Sequence, residues 1–244
     1  MVTRIIRNTS RHAVVAAAPG LVAFAVRVHP HRQEPPLTDA NDTGRLLIID
    51  RSGSMTTIRN DMVGGLESML RDQAAEPGRL SVDIVTFDTE IETQATFADP
   101  GNVVVTLEPR GATALYDAIG HAVSTYGWRL ALLPEHARPG TVQVVVATDG
   151  EENSSHEWTA EAVRTLVRQQ AEDFNWDFVF LGANQDAVLT GAHLGFHADK
   201  SMTYEAAPDG VAGLSAGLDD YIKRSRTGID GAFTATQRKA ARGE

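Results

Sequence analysis

Short apolar runs that alternate with helix-period segments constrain this chain more than any other feature of it. Residues 45–50 read RLLIID, residues 80–87 LSVDIVTF, residues 141–148 TVQVVVAT and residues 176–181 WDFVFL. Each has strand length and is rich in β-branched, aliphatic or aromatic side chains. Between them, Ile58, Met62, Leu66 and Leu70 recur at intervals of four, which places them on one face of a helix over 58–76. Gly64-Gly65 weakens that helix locally. Leu115, Ile119, Val123 and Tyr126 mark a second helix that stops before Pro134. Further helices are expected over 158–172, 187–194 and 211–222. The run 141–148 is nearly unbroken by polar residues, as in a central strand covered on both faces. This succession predicts an α/β fold: a mostly parallel sheet with helices on both faces. Residues 90–96 follow Asp88-Thr89 closely enough for a hairpin, so one edge strand is expected to be antiparallel. Brief strands are expected at 103–107 and 198–204, and the tail from Thr227 is expected to fray.

Charge narrows the choice of partner. The net charge is −10, but residues 1–44 carry +2 and residues 223–244 carry +4, leaving −16 on residues 45–222. Phosphate binding needs clustered positive charge, so nucleic acid is not an expected partner of this acidic body. Cations or a basic protein surface suit it, although solubility alone also accounts for such a surplus. The chain has no cysteine, so any metal must be held by oxygen or imidazole. No apolar run reaches the roughly 20 residues of a membrane-spanning helix.

Residues 1–43 differ from the rest and are read as an extension outside the fold, with a domain over 44–225 and a basic tail over 226–244. Within the extension, an apolar stretch from Ala13 to Val28 follows Arg4, Arg7 and Arg11 and contains Ala23-Phe24-Ala25. That is the outline of an export signal, but Pro19-Gly20 interrupts it and the apolar stretch continues past the cleavage point. An export signal, an unstructured extension and translation from an upstream start all remain open. The working expectation is cytoplasmic residence, with export as the alternative.

Polar residues gather where each strand is expected to end. Asp50, Ser52 and Ser54 follow the first strand, Thr113 precedes the second helix in Gly111-Ala112-Thr113, and Asp149-Gly150 follows 141–148. In open α/β sheets ligands bind at this carboxyl edge. Taken singly, each feature has an ordinary explanation, such as Thr113 capping its helix. Together, the Asp-x-Ser-x-Ser of residues 50–54, then Thr113 and then Asp149 resemble the metal-ion-dependent adhesion site of the von Willebrand factor A domain family. The resemblance covers about residues 44–204 and is of the bacterial single-domain type. It implies a Rossmann-like α/β fold and a site formed by Asp50, Ser52, Ser54, Thr113 and Asp149. It also implies a bound Mg2+, with Mn2+ or Ca2+ as alternatives, and a protein partner that offers an Asp or Glu to the ion. Arg51, Met55, Arg110, Tyr116, Glu151, Glu152 and Asn153 are candidates for the specificity rim.

Catalysis is not expected. The second Asp of dehalogenase-type phosphatases is replaced by Ser52, no nucleophile elbow surrounds Ser54, and no phosphate-binding glycine loop is present. Of the eight histidines only His193 and His197 are spaced four apart, and no third ligand lies near them in sequence. A non-enzymatic, metal-dependent protein-binding module is therefore the leading reading. A metal-dependent phosphate-directed hydrolase and a structural domain with a loop-stabilising metal are the alternatives. Oligomeric state does not follow from the sequence.

Overall fold

The computed structural model of the protein describes residues 42–183, 186–227, 229 and 231–244. Among these residues, six strands form one sheet: β1 (Asp42–Asp50), β2 (Arg79–Phe87), β3 (Ile91–Ala98), β4 (Thr141–Thr148), β5 (Asp177–Ala183) and β6 (Ser201–Tyr204). Their order is β3-β2-β1-β4-β5-β6, and every neighbouring pair is parallel except β2 with β3. The helices are α1 (Arg59–Ala75), α2 (Leu115–Leu132), α3 (Ala160–Phe174), α4 (Ala187–His193), α5 (Pro208–Arg226) and α6 (Ala235–Ala241). The expected α/β architecture with one antiparallel edge is the one observed. None of the described helices is long and apolar enough to cross a membrane. The extension over 1–43 lies outside the described residues except for Asp42 and Thr43, which open β1.

Side-chain alternation along β1 divides the core in two. Leu47 and Ile49 pack with Met62 and Leu66 of α1 and with Leu214 and Leu218 of α5. Leu46 and Ile48 point the other way, to Ile119 and Val123 of α2 and to Val163 and Val167 of α3. All four strand residues are fully buried, each contributing about 1.5–3 kcal/mol. Because both faces are apolar, hydrophobicity alone does not fix the register of β1. A buried polar ladder does. Arg45, Gln143 and Asp177 are direct cross-strand neighbours on β1, β4 and β5. Arg45 donates to Gln143 (2.9 Å), Gln143 donates to Asp177 (3.2 Å), and Tyr221 of α5 donates to the same carboxylate (2.8 Å). A slip of one residue would leave these groups buried without partners.

On β2, Asp83 is another buried charge. Its Oδ1 accepts from the Phe97 amide (2.9 Å), and its Oδ2 lies 2.6 Å from the Arg129 guanidinium of α2. Phe97 has φ = 44°, and the β2–β3 register shifts nearby, so Asp83 stabilises a bulge that bends the edge strand.

Three local expectations are corrected. Residues 103–107 are not a strand. Val105 and Leu107 drop into the core, while the backbone of Thr106 is bonded by the Gln94 side chain and the Val105 amide by Glu67. The last strand begins at Ser201, because Ala198–Lys200 forms a helical turn. The end of the chain does not fray into an irregular tail: α6 starts at a capping box formed by Thr234 and Gln237. Phe233 and Ala241 are buried, and Arg238 reaches the Ser201 carbonyl (2.5 Å) beside the β6 edge.

The chain leaves β1 for β2 on one side and enters β4 on the other. The two parallel strands therefore send their following loops in opposite directions, which opens a crevice at their carboxyl ends.

Candidate metal centre

Asp50 is the last residue of β1 and is fully buried in that crevice. One carboxylate oxygen accepts from the Ser52 amide (2.6 Å) and the other from the Thr148 hydroxyl at the end of β4 (2.5 Å). The chain then makes a helical turn over Gly53–Thr57, which turns Ser52 and Ser54 to the same side. Their hydroxyls are 3.0 Å apart, and Ser54 donates to Asp149 Oδ1 at 2.6 Å. Thr113, buried in the loop before α2, comes to the same place from a third direction. Its amide donates to the Asn153 side chain (2.9 Å), and the Asn153 amide donates back to the Thr113 carbonyl (3.0 Å). A Cβ built on Gly150 would lie 2.6 Å from Thr113 Oγ1 and 3.5 Å from Ser52 Oγ, so these two hydroxyls face one small space. Asp50, Ser52, Ser54, Thr113 and Asp149 thus converge from three loops.

Burial pushes the Asp50 carboxyl up to about 6, against the opposing pull of hydrogen bonds from Thr148 and Ser52. Burial also raises Asp149, with the Ser54 hydrogen bond opposing it. Both carboxylates sit where a nearby positive charge would favour their ionised forms. The donor set is two carboxylates and three hydroxyls, all hard oxygens, and it fits a hard divalent cation such as Mg2+. Two negative charges balance a dication and leave no surplus. Among the described residues no group of three or more His, Asp and Glu side chains is placed to hold a metal, so a cation here would need the hydroxyls as well. The space beside Gly150 belongs to the site: Gly150→Ala should weaken Mg2+ affinity at least tenfold by displacing Thr113, an effect of the size seen for supporting groups. Its thermal midpoint should change little, and calorimetry with a melting curve checks both.

The rim differs from expectation at four positions. Met55 is part of the core and Arg51 is buried, so neither is available to a partner. Glu152 accepts from the amides of Tyr116, Ser154 and Ser155 and fastens its own loop to the start of α2. Asn153, although exposed, braces Thr113 as described. Arg110 and Glu151 remain exposed at the site.

Three contributors were not singled out by sequence. Thr148 holds Asp50. Asp117 of α2 accepts from the amides of His156, Glu157 and Trp158 (2.8, 2.9 and 2.6 Å), pinning the loop after β4. Asp88, just past β2, accepts from Arg51 (3.1 Å) and Arg110 (2.8 Å). Burial would raise the Asp88 carboxyl, but hydrogen bonds from Arg110 and the Glu90 amide, with the Arg51 charge, hold it below its ordinary value. For Asp88 and Asp117, an acidic residue directly past a strand or at the third position of a helix was the only sequence signal.

No protein-family model and no curated protein matches the sequence. Solved structures do match the fold. The von Willebrand factor domain of the type V pilus tip protein Mfa5 from Porphyromonas gingivalis aligns at TM-score 0.55 and 11% identity, over 77% of this chain and 96% of that one. Proximal thread matrix protein 1 from the mussel byssus, solved with zinc in its metal-ion-dependent adhesion site, aligns at 0.53 and 17% identity, over 76% of this chain and 46% of its own. The ArnB paralog VWA2 from Sulfolobus acidocaldarius aligns at 0.50 and 18% identity, over 74% and 45%. The chain spans less than half the length of the latter two proteins. The fold is that of von Willebrand factor A domains.

Proposed function

We propose that this protein is a non-catalytic, metal-dependent protein-binding module in which Asp50, Ser52, Ser54, Thr113 and Asp149 hold Mg2+. The supporting observation is the convergence of these five oxygen-bearing residues, and of no other donor type, at the switch point of the sheet. A bound dication would supply an electrophilic centre for one more oxygen ligand, and a partner's Asp or Glu carboxylate is the chemistry that fits it. Asp50 and Asp149 hold the charge balance, while Ser52, Ser54 and Thr113 contribute neutral oxygens that leave the centre electrophilic. The Ser52 and Ser54 hydroxyls are bonded to each other and to Asp149 rather than to an imidazole, which favours capture over nucleophilic chemistry. The mussel protein's occupied site supports the choice of a divalent metal, and Mn2+ and Ca2+ are the competitors to test. Export and cytoplasmic residence both accommodate this reading, since capture needs only the cation and the partner.

Magnesium titration by calorimetry should give a binding isotherm with the wild type and none with Asp50→Ala. Beads displaying aspartyl or glutamyl peptides should retain the protein in magnesium and release it in EDTA. Retention that survives EDTA, or that is equal on the asparaginyl and glutaminyl analogues, would sink metal-bridged capture.

A further inference from the structure

Arg51 occupies the position between two of the five site residues, and it is turned inward. Its side chain is 6% exposed and its Nε donates to Asp88 Oδ2, while a terminal nitrogen pairs with Glu92 on β3. Asp88 is itself 1% exposed and takes a second guanidinium on the same oxygen, from Arg110 of the Thr113 loop. Its other oxygen accepts from the Glu90 amide (2.6 Å). Backbone bonds run alongside these ionic ones. The Arg110 amide donates to the Arg51 carbonyl (2.9 Å), the Ala114 amide to the Asp88 carbonyl (3.0 Å), and the Arg51 amide to the Phe87 carbonyl (2.7 Å). One carboxylate therefore joins the first loop, the β2–β3 turn and the Thr113 loop, without being part of the donor set.

The geometry points to Asp88 as a positioning residue for the metal centre: a clasp through Arg51 and Arg110 that fixes the separation between the Ser52/Ser54 loop and the Thr113 loop. The inference rests on the metal-binding reading and deepens it, since it concerns which cation the site prefers. Mg2+ demands near-octahedral oxygen geometry at short distances, whereas Ca2+ accepts six to eight ligands in a looser cage. Fixed loop spacing thus selects for Mg2+, and loosening the clasp costs Mg2+ more than Ca2+. The strength of the clasp follows from its chemistry: charge-assisted hydrogen bonds are about twice as strong as neutral ones, and the Arg51–Asp88 pair at its centre is buried.

The test uses the full chain with Asp88→Asn, which keeps the size and the acceptor for the Glu90 amide but removes the charge. Arg110→Gln is the second variant, chosen because Arg110 is largely exposed, so its loss should be tolerated by the fold. Mg2+ and Ca2+ affinities are measured by calorimetry, and amide hydrogen exchange is measured on the metal-free proteins. Asp88→Asn should lose about 10–100-fold in Mg2+ affinity, the range for groups that orient metal ligands, and lose less for Ca2+. Arg110→Gln should move the same way by a smaller factor. In both metal-free variants the amides of Arg110 and Ala114 should exchange faster than in the wild type, a loosening that owes nothing to the ion. Folded variants with wild-type Mg2+ and Ca2+ affinities and wild-type exchange overturn the clasp. Should Asp88→Asn fail to fold, unchanged values in Arg110→Gln overturn it alone. A wild type that binds neither cation removes the metal reading itself, an outcome separate from any result with the variants.

Discussion

Asp50→Asn raises the thermal midpoint of the metal-free protein above pH about 7 and abolishes the stabilisation that magnesium confers. The carboxyl titrates at about 6 in the fold against 3.8 for an ordinary aspartate, chiefly because burial disfavours its charge. A folded-state value raised above the unfolded one means that this group's contribution to stability is full below about 3.8 and is lost as pH rises through about 6. Above that pH the ionised carboxylate costs the fold up to about 3 kcal/mol. Asparagine fits with little rearrangement. Its oxygen can accept from the Ser52 amide, and its nitrogen can donate to the Thr148 hydroxyl, which lies 3.1 Å from the Gly150 carbonyl and can donate there instead. Recovering even half of the cost should raise the midpoint by about 3–6 °C for a domain of this size. In the wild type, magnesium held as proposed would supply the missing counter-charge and should stabilise by about 2.7 kcal/mol at a hundredfold excess over its dissociation constant. In Asp50→Asn that increment disappears. Melting curves of both proteins with magnesium and with EDTA, at pH about 5 and about 8, provide the check. A variant less stable than the wild type in EDTA at the higher pH would show that Asp50 serves the fold rather than the metal.

Arg129→Met should be the most destabilising single change away from the site. It removes the cation that faces the fully buried Asp83 carboxylate on β2, and it also removes guanidinium contacts with the rings of Phe97 and Tyr126. Breaking a buried pair by deleting one partner typically costs about 3–5 kcal/mol, or about 6–20 °C for a chain of this length. Methionine retains the aliphatic stem, so lost packing contributes little. Burial already raises the Asp83 carboxyl despite the Phe97 amide and Arg129, and without Arg129 it rises further. A group raised in the fold contributes its stability below the unfolded value and loses it as pH rises through the folded value. The deficit should therefore be large near neutrality and shrink in acid, where Asp83 takes up a proton. Denaturation across that range measures it, and a deficit independent of pH would assign the effect to packing alone.

What the sequence made legible is local. Intervals of four in 58–76 and unbroken aliphatic runs such as 141–148 report the element to which they belong, and strand lengths fit the observed elements within a few residues. Residues 103–107 misled because Val105 and Leu107 are apolar for the sake of the core, while their backbone partners are the side chains of Gln94 and Glu67. Around α6 the capping-box pattern of Thr234 and Gln237 was present in the sequence, but with few apolar residues beside it nothing indicated that the helix would pack.

The five residues that open the metal reading were visible because each stands at the end of a strand or the start of a helix, positions that alternation locates by itself. By sequence alone, then, this chain determined its layered sheet, the edge of that sheet where chemistry belongs, and the oxygen donors gathered there. Only the tertiary structure decided which neighbours serve the site and which serve the fold. It turned Arg51 and Met55 inward, set Asn153 and Glu152 to bracing, and made Asp88 a junction between loops. The reason is distance along the chain: Asp50 meets Thr148 across 98 positions, Arg51 meets Asp88 across 37, and Thr113 meets Asn153 across 40. A periodic pattern extends over one element, whereas a hydrogen bond across the sheet exists only once that sheet has assembled.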